Sequence, residues 1–141
     1  MTVSNSIITL NQAQGGDGGA GGNGGNGLGG GLWNNSLSTA TVTASSITHN
    51  QAQGGDGSDG GNGGNGQGGG LFNASGATLI VTTSTITDNQ AKGGKGNPGG
   101  SDGEGIGGGV YNLGAFTCDL ATVIAHNHAS TSNDDIFPDP T

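Results

Sequence analysis

"GGDGGAGGNGGNGLGGGLWN" occupies residues 15–34, and twelve of its twenty residues are glycine. Such a stretch is either a loose tether or an ordered part of a repeating fold. Its neighbours decide between the two. "VSNSIITLNQAQGGDG" (3–18) recurs as "VTASSITHNQAQGGDG" (42–57) and as "VTTSTITDNQAKGGKG" (81–96), each 39 residues further on. "GGGLWN" (29–34) becomes "GGGLFN" (68–73) and "GGGVYN" (107–112), and a partial fourth copy, "LATVIAHNHA" (120–129), follows at a shift of 38. A fixed period of this size is the signature of a stacked repeat architecture.

The glycine-rich segments run 14–28, 53–67 and 92–106, all 15 residues long. A flexible loop tolerates length changes cheaply, because closure entropy grows only logarithmically. The third copy has changed letters (Lys95, Pro98, Ser101 and Glu104 for Asp56, Asp59, Asn62 and Asn65) yet kept its length. Register therefore matters, and the segment reads as ordered. Its letters fall in threes, GGD, GGA, GGN, GGN. Three is the period of the extended polyproline-II-type helix. Without side chains, such helices can lie side by side and bond laterally, offsetting glycine's large ordering entropy.

Removing 15 residues from a 39-residue period leaves 24, roughly one coil of three short strands and turns in a parallel β-solenoid. The expected fold is all-β: a right-handed parallel β-helix of about three and a half coils, with polyglycine-II-like insertions stacked at one corner. The repeats are 3–41, 42–80, 81–119 and a partial 120–129, within a β-helix spanning 1–129. Residues 130–141 read as an irregular cap or tail. Stacking gives apolar columns: Ile8, Ile47, Ile86 and Ile124; Val3, Val42 and Val81, ended by Asp119; Leu32, Leu71 and Val110; Ala13, Ala52, Ala91 and Ala129. One coil cannot bury its apolar face alone, so each column reads as a core ladder. Asn11, Asn50, Asn89 and Asn127 read as stacked turn asparagines. Ser6, Ser45, Ser84 and Thr122 read as a cross-strand hydroxyl column.

Charge excludes several functions. The chain of 141 residues carries −8, with only Lys92 and Lys95 against ten acids. Counterion release from a nucleic-acid backbone has only these two cations to drive it, and an anionic membrane surface is equally unsuited. One cysteine, Cys118, allows no internal disulfide. No apolar run is long enough to span a membrane, and the polar first twenty residues show no signal peptide.

At "GGGLWN", "GGGLFN" and "GGGVYN", and at "SIITLN", "SITHN", "STITDN" and "TVIAHN", the chain resembles the polymorphic outer-membrane-protein repeat group. That group carries a GGAI-type and an F-x-x-N-type motif, seen here as GGGL or GGGV and as Ile-x-x-Asn. The resemblance implies a right-handed parallel β-helix displayed extracellularly or on a bacterial surface, often as an adhesin or autotransporter passenger. Phe is missing from the second motif, and the chain has no membrane barrel or leader. It opens at "MTVSNS", inside a repeat, which reads as a fragment of a longer repeat protein.

The candidate sites follow. "GGNGGNGLG" (21–29) and much of "GGDGSDGGN" (54–62) fit the template of Ca²⁺-binding β-rolls, with Asp17, Asp56 and Asp59 as oxygen donors. Lys95 breaks that series. The aromatic column Trp33, Phe72 and Tyr111 offers ring faces to a carbohydrate. Thr39 with Thr78, and Thr9 with Thr48 and Thr87, give a threonine lattice too irregular for a flat-surface binder. Catalysis is not expected: there is no arginine, no paired carboxylates of the glycosidase kind, and no partner cluster for His49, His126 or His128. His49 stacks on Leu10, Asp88 and His126 in an outward column. The expected function is a non-catalytic structural or adhesive repeat module, surface-exposed or secreted, with no resident cofactor. Its expected partners are a cell-surface glycan or protein, with end-to-end self-association through exposed strand edges. The first alternative is a Ca²⁺-stabilised β-roll; a polysaccharide-acting β-helix enzyme comes third.

Overall fold

The computed structural model describes residues 1–138, and among these it contains nineteen strands and no helix. The first coil holds β1 (Thr2–Ser4), β2 (Ile7–Thr9), β3 (Gln12–Gln14), β4 (Gly27–Leu28) and β5 (Leu32–Asn34). The second repeats them as β6 (Thr39–Thr43), β7 (Ser46–Thr48), β8 (Gln51–Gln53), β9 (Gly66–Gln67) and β10 (Leu71–Asn73). The third holds β11 (Thr78–Thr82), β12 (Thr85–Thr87), β13 (Gln90–Lys92), β14 (Gly105–Ile106) and β15 (Val110–Asn112). A partial fourth adds β16 (Ala115–Cys118), β17 (Val123–Ala125), β18 (His128–Ala129) and β19 (Ile136–Phe137). Each strand pairs in parallel with its equivalent one coil away, giving four four-stranded sheets and one three-stranded sheet. The fold is the expected all-β parallel solenoid.

Each coil has five short strands rather than three. The extra corners come from single residues in the left-handed region. Asn5, Ala44 and Thr83 (φ 48°, 47° and 50°) bend the chain between its first two strands. Leu10, His49, Asp88 and His126 (φ 56° to 58°) bend it again before the asparagine column. A non-glycine residue rarely adopts this conformation. Here the next residue, Ser or Asn, turns inward and bonds the neighbouring coil, which holds the corner in place.

The core lies along the stack axis. Val42, Ile47, Leu71, Leu79, Val81, Ile86 and Val110 are fully excluded from solvent, each contributing about 1.5–3 kcal/mol by burial. The four expected isoleucines pair in register, Ile8 with Ile47 and Ile86 with Ile124. The valine column ends differently: Val81 pairs with Cys118, not Asp119. The turn after Asn112 is two residues shorter than the turn after Asn73, so the register there is 37. One extra residue before Val123 restores 38. In the segment read as an irregular tail, β19 pairs with β15, Val110 opposite Ile136 and Tyr111 opposite Phe137. Residues 139–141 of that segment lie outside the described residues.

Polar ladders thread the interior: one joins Asn34, Asn73 and Asn112 by Nδ2 to Oδ1 bonds of 2.8 and 2.7 Å, and two others follow the columns legible in the sequence. In the first of these two, the backbone N–H and the Nδ2 of Asn11 both donate to Oδ1 of Asn50 (3.0 and 2.9 Å). Asn50 does the same to Asn89, and Asn89 to Asn127. In the second, the backbone N–H of Ser6 donates to Oγ of Ser45, and that of Ser45 to Oγ of Ser84. The hydroxyl column thus links backbone to side chain rather than hydroxyl to hydroxyl.

Candidate functional site

The glycine segments are ordered hairpins that project from one corner and stack into a plate. Each runs out over 15–18 and returns over 22–27, or the equivalent residues one or two periods on. Their hydrogen bonds run sideways. Gly25 N–H donates to Gly16 O within the hairpin, Gly55 to Gly25 O in the coil before, then Gly64 to Gly55 O and Gly94 to Gly64 O (2.8–2.9 Å). A second set points the other way: Gly18 donates to Asp56 O, Gly24 to Asn62 O and Gly57 to Lys95 O. This spacing leaves no room for a side chain. A Cβ on Gly54 would sit 1.8 Å from Gly64 O, and one on Gly64 would sit 1.9 Å from Gly25 O.

The third residue of each triplet has its own task. Oδ1 of Asp17 accepts the backbone N–H of Asp56, and Oδ1 of Asp56 accepts that of Lys95. Asn23 serves Asn62, Asn62 serves Ser101, Asn26 serves Asn65 and Asn65 serves Glu104. A side-chain oxygen is therefore needed wherever another hairpin follows. None follows the third, which explains why Lys95, Ser101 and Glu104 stand there. It also explains Asp102, which replaces Gly24 and Gly63. A Cβ at those glycines would meet Gly55 O or Gly94 O at 2.0 and 2.2 Å. In the last hairpin the space is free, and Asp102 Oδ1 takes the N–H of Gly96.

Asp102 belongs to a set of end caps that sequence inspection did not single out. The carboxylate of Asp135 accepts both donors of Asn127 and ends the asparagine ladder (3.1 and 2.9 Å). Asp134 accepts the Ala129 N–H, Ser130 Oγ that of Gly93, and Thr131 Oγ1 that of Gly105. Asp119 accepts the Thr83 N–H and the Thr122 hydroxyl. The signal was available: an ionised carboxylate only accepts, and acids cluster where the repeat ends with unused donors.

Hydrogen bonds from Thr122 and then Thr83 hold the Asp119 carboxyl below its ordinary value. A depressed carboxylate contributes stability that is present above the unfolded value of about 3.9 and lost as pH falls through the lower folded value. Hydrogen exchange at the Thr83 amide is expected to accelerate on acidification through that window. Asp119→Asn is expected to flatten the response; an unchanged response in that variant would refute the assignment.

The predicted site residues fall as follows. Asp17 and Asp56 lie on successive hairpins with one oxygen each engaged as above. Asp59 is at a hairpin tip, in the left-handed region (φ 45°). Among the described residues no three His, Cys, Asp or Glu side chains are grouped so as to hold a metal ion. Trp33, Phe72 and Tyr111 are in register, and the column continues to Phe137. Phe72 stacks on Tyr111 at 5.3 Å between centroids, and Tyr111 on Phe137 at 4.7 Å. Phe72 and Tyr111 are buried with Ala74 and Ile106, so only Trp33, 55% exposed, offers much ring face to a ligand. Burial, with the nearby Glu104 charge adding, pushes the Tyr111 hydroxyl above its ordinary value. The three histidines, expected to lack company, line one open groove of about 590 Å³ with Asp88. His128 Nδ1 lies 3.5 Å from Asp134 Oδ1.

With the oxygens engaged and Asn23, Asn26 and Asn62 exposed, their amide NH₂ groups are donors this plate can offer to a ligand hydroxyl, beside Lys92, Lys95 and Ser101 of the third hairpin. Comparison of the chain with protein-family models, with curated proteins and with solved structures gives no match.

Proposed function

We propose that the chain is a non-catalytic structural and adhesive repeat module of a surface-exposed or secreted protein, binding neutral glycans. The observation that supports this most is the plate itself. Its glycines are used up in backbone packing, and its asparagine oxygens in joining one hairpin to the next. What remains outward includes the amide donors of Asn23, Asn26 and Asn62, suited to hydroxyl acceptors, beside the charges of Asp17, Asp56, Asp59, Lys95 and Glu104. Trp33 adds an exposed ring of the kind that pairs an apolar face with a polar edge.

The test is binding to a panel of immobilised neutral glycans. Wild type is expected to bind at least one class, and Trp33→Ala to bind it at least tenfold more weakly. Trp33 is exposed at the end of its column, so its removal leaves the fold in place. No binding by wild type would remove the adhesive half of the reading.

A further inference from the structure

We infer that the third hairpin, where it meets the bend after β18, is a binding site for a sugar acid, its carboxylate held by Lys92 and Lys95. A cavity of about 320 Å³ opens there, lined by the two lysines, Asp102, Ser130 and Thr131 over a floor of glycine. That volume lies at the small end of ligand pockets and suits a single sugar ring. The fourth coil itself leaves the place open. It passes from β18 to β19 through residues 130–135 and sends out no hairpin of its own.

Charge gives the first argument. The chain has two basic side chains, and both line this cavity. Both depart from the repeat. Lys92 pairs with Gln53, which pairs with Gln14, and Lys95 follows Asp17 and Asp56 in its column. The missing fourth hairpin removes the need for an acceptor at residue 95, but it does not call for a cation at either place. Among the described residues neither ammonium has an ion-pair partner, the one such contact being that of His128 with Asp134. Asp56, which accepts the Lys95 N–H from the coil before, does not line the cavity. In a chain of net charge −8, two unpaired cations over one cavity reverse the local sign and draw in an anion.

The rest of the lining selects the anion. Ser130 Oγ accepts the Gly93 N–H and Thr131 Oγ1 that of Gly105, so each hydroxyl keeps its own hydrogen to donate. Asp102 gives one oxygen to the Gly96 N–H and has the other for a ligand hydroxyl. Two ammonium groups and one carboxylate leave a single positive charge, which a monoanion balances. A phosphate group, at about −1.5 to −2 near neutral pH, sets more charge against Asp102. A simple carboxylate brings no hydroxyl for the Asp102 oxygen. A sugar acid brings both, an oxyanion for the lysines and a hydroxyl for the acid. The site is built from the third and fourth coils and needs nothing from Trp33 on the first, so it does not rest on the neutral-glycan reading.

Titration of the 141-residue chain with glucuronate, followed by the amide resonances of Gly93, Gly94 and Gly103, tests this. Saturable shifts are expected in wild type, with glucuronate bound more tightly than acetate or inorganic phosphate and no response to glucose. Lys92→Gln and Lys95→Asn are each expected to weaken glucuronate about tenfold, as loss of one charge-assisted bond implies. Gln14 and Gln53 hold the position of Lys92 in the earlier coils, so the first variant keeps the fold. Asp102→Asn retains an oxygen for Gly96 and loses the charged acceptor, and is expected to bring acetate and glucuronate to equal affinity. The proposal is overturned by the absence of saturable shifts, by acetate or phosphate bound as tightly as glucuronate, or by an equal response to glucose. Lysine variants that bind like wild type, or an Asp102→Asn variant that keeps the wild-type preference, overturn it as well.

Discussion

Asn89→Ala is expected to lower the unfolding free energy by about 4 kcal/mol, from the sum of its broken bonds. Asn89 sits in the middle of the ladder and is 1% exposed. Its Oδ1 accepts from the N–H and the Nδ2 of Asn50, both at 3.0 Å. Its own Nδ2 donates to Ile47 O and to Asn127 Oδ1, both at 2.9 Å. Alanine removes all four bonds and leaves the buried backbone N–H of Asn50, and the Nδ2 hydrogen it gave to Asn89, without an acceptor, while Asn50 Nδ2 keeps its other bond to Ile8 O. Each such group costs about 1–3 kcal/mol, more than the net gain of making the bond. Asn11→Ala is the control. Asn11 is exposed and nothing in the chain precedes it in the ladder, so about 1 kcal/mol is expected. Urea denaturation of both variants, compared at equal m-value, measures the difference. Equal losses at the two sites would show that the ladder does not act as a continuous buried network.

Gly64→Ala is expected to destabilise the hairpin stack by about 3 kcal/mol, at the upper end of ordinary overpacking costs. Its added Cβ would lie 1.9 Å from Gly25 O, a backbone atom that cannot swing aside. Moving the hairpin to relieve this breaks the bond from Gly64 to Gly55 O and that from Gly94 to Gly64 O. Gly16→Ala should do the reverse. It meets nothing within 4 Å and its φ is not in the left-handed region. A more restricted unfolded chain then gives a gain of roughly 0.5 kcal/mol. Hydrogen exchange at Gly94 distinguishes the pair: strongly accelerated in the first variant, unchanged in the second. Like effects in both would mean that the glycines serve flexibility rather than packing.

The stacking register was legible because the period is constant, so Ile, Ala and Asn columns could be written down before any geometry was known. The order of the glycine segments was legible for the same reason, since their lengths never vary. The corners were not. His49 and Asp88 are of types that favour the left-handed region, but Leu10 at the same corner is not, so the column carried no consistent mark; the inward bond of the asparagine that follows holds the conformation. The end of the valine column was misplaced because a two-residue deletion and a later one-residue insertion in the fourth copy nearly cancel. The aromatic column read correctly as a column, but its burial depends on Ala74 and Ile106, which come from other parts of the coil. Asp102 and Asp135 escaped notice because caps answer to donors left over by the missing next coil, and a repeat pattern describes only what is present.

The sideways bonds of the plate also set how the molecule yields to force. Tension along the stacking axis loads the many bonds between two coils at the same moment, so the coils must part together. Tension applied at a hairpin tip loads only the outermost contacts, Gly22 to Gly19 and Ser58 to Gly22, and those inside them give way in turn. The plate is therefore strong when its coils are pulled apart as a block and weak when peeled, and a tether fixed to its rim would release by unzipping before the core came apart.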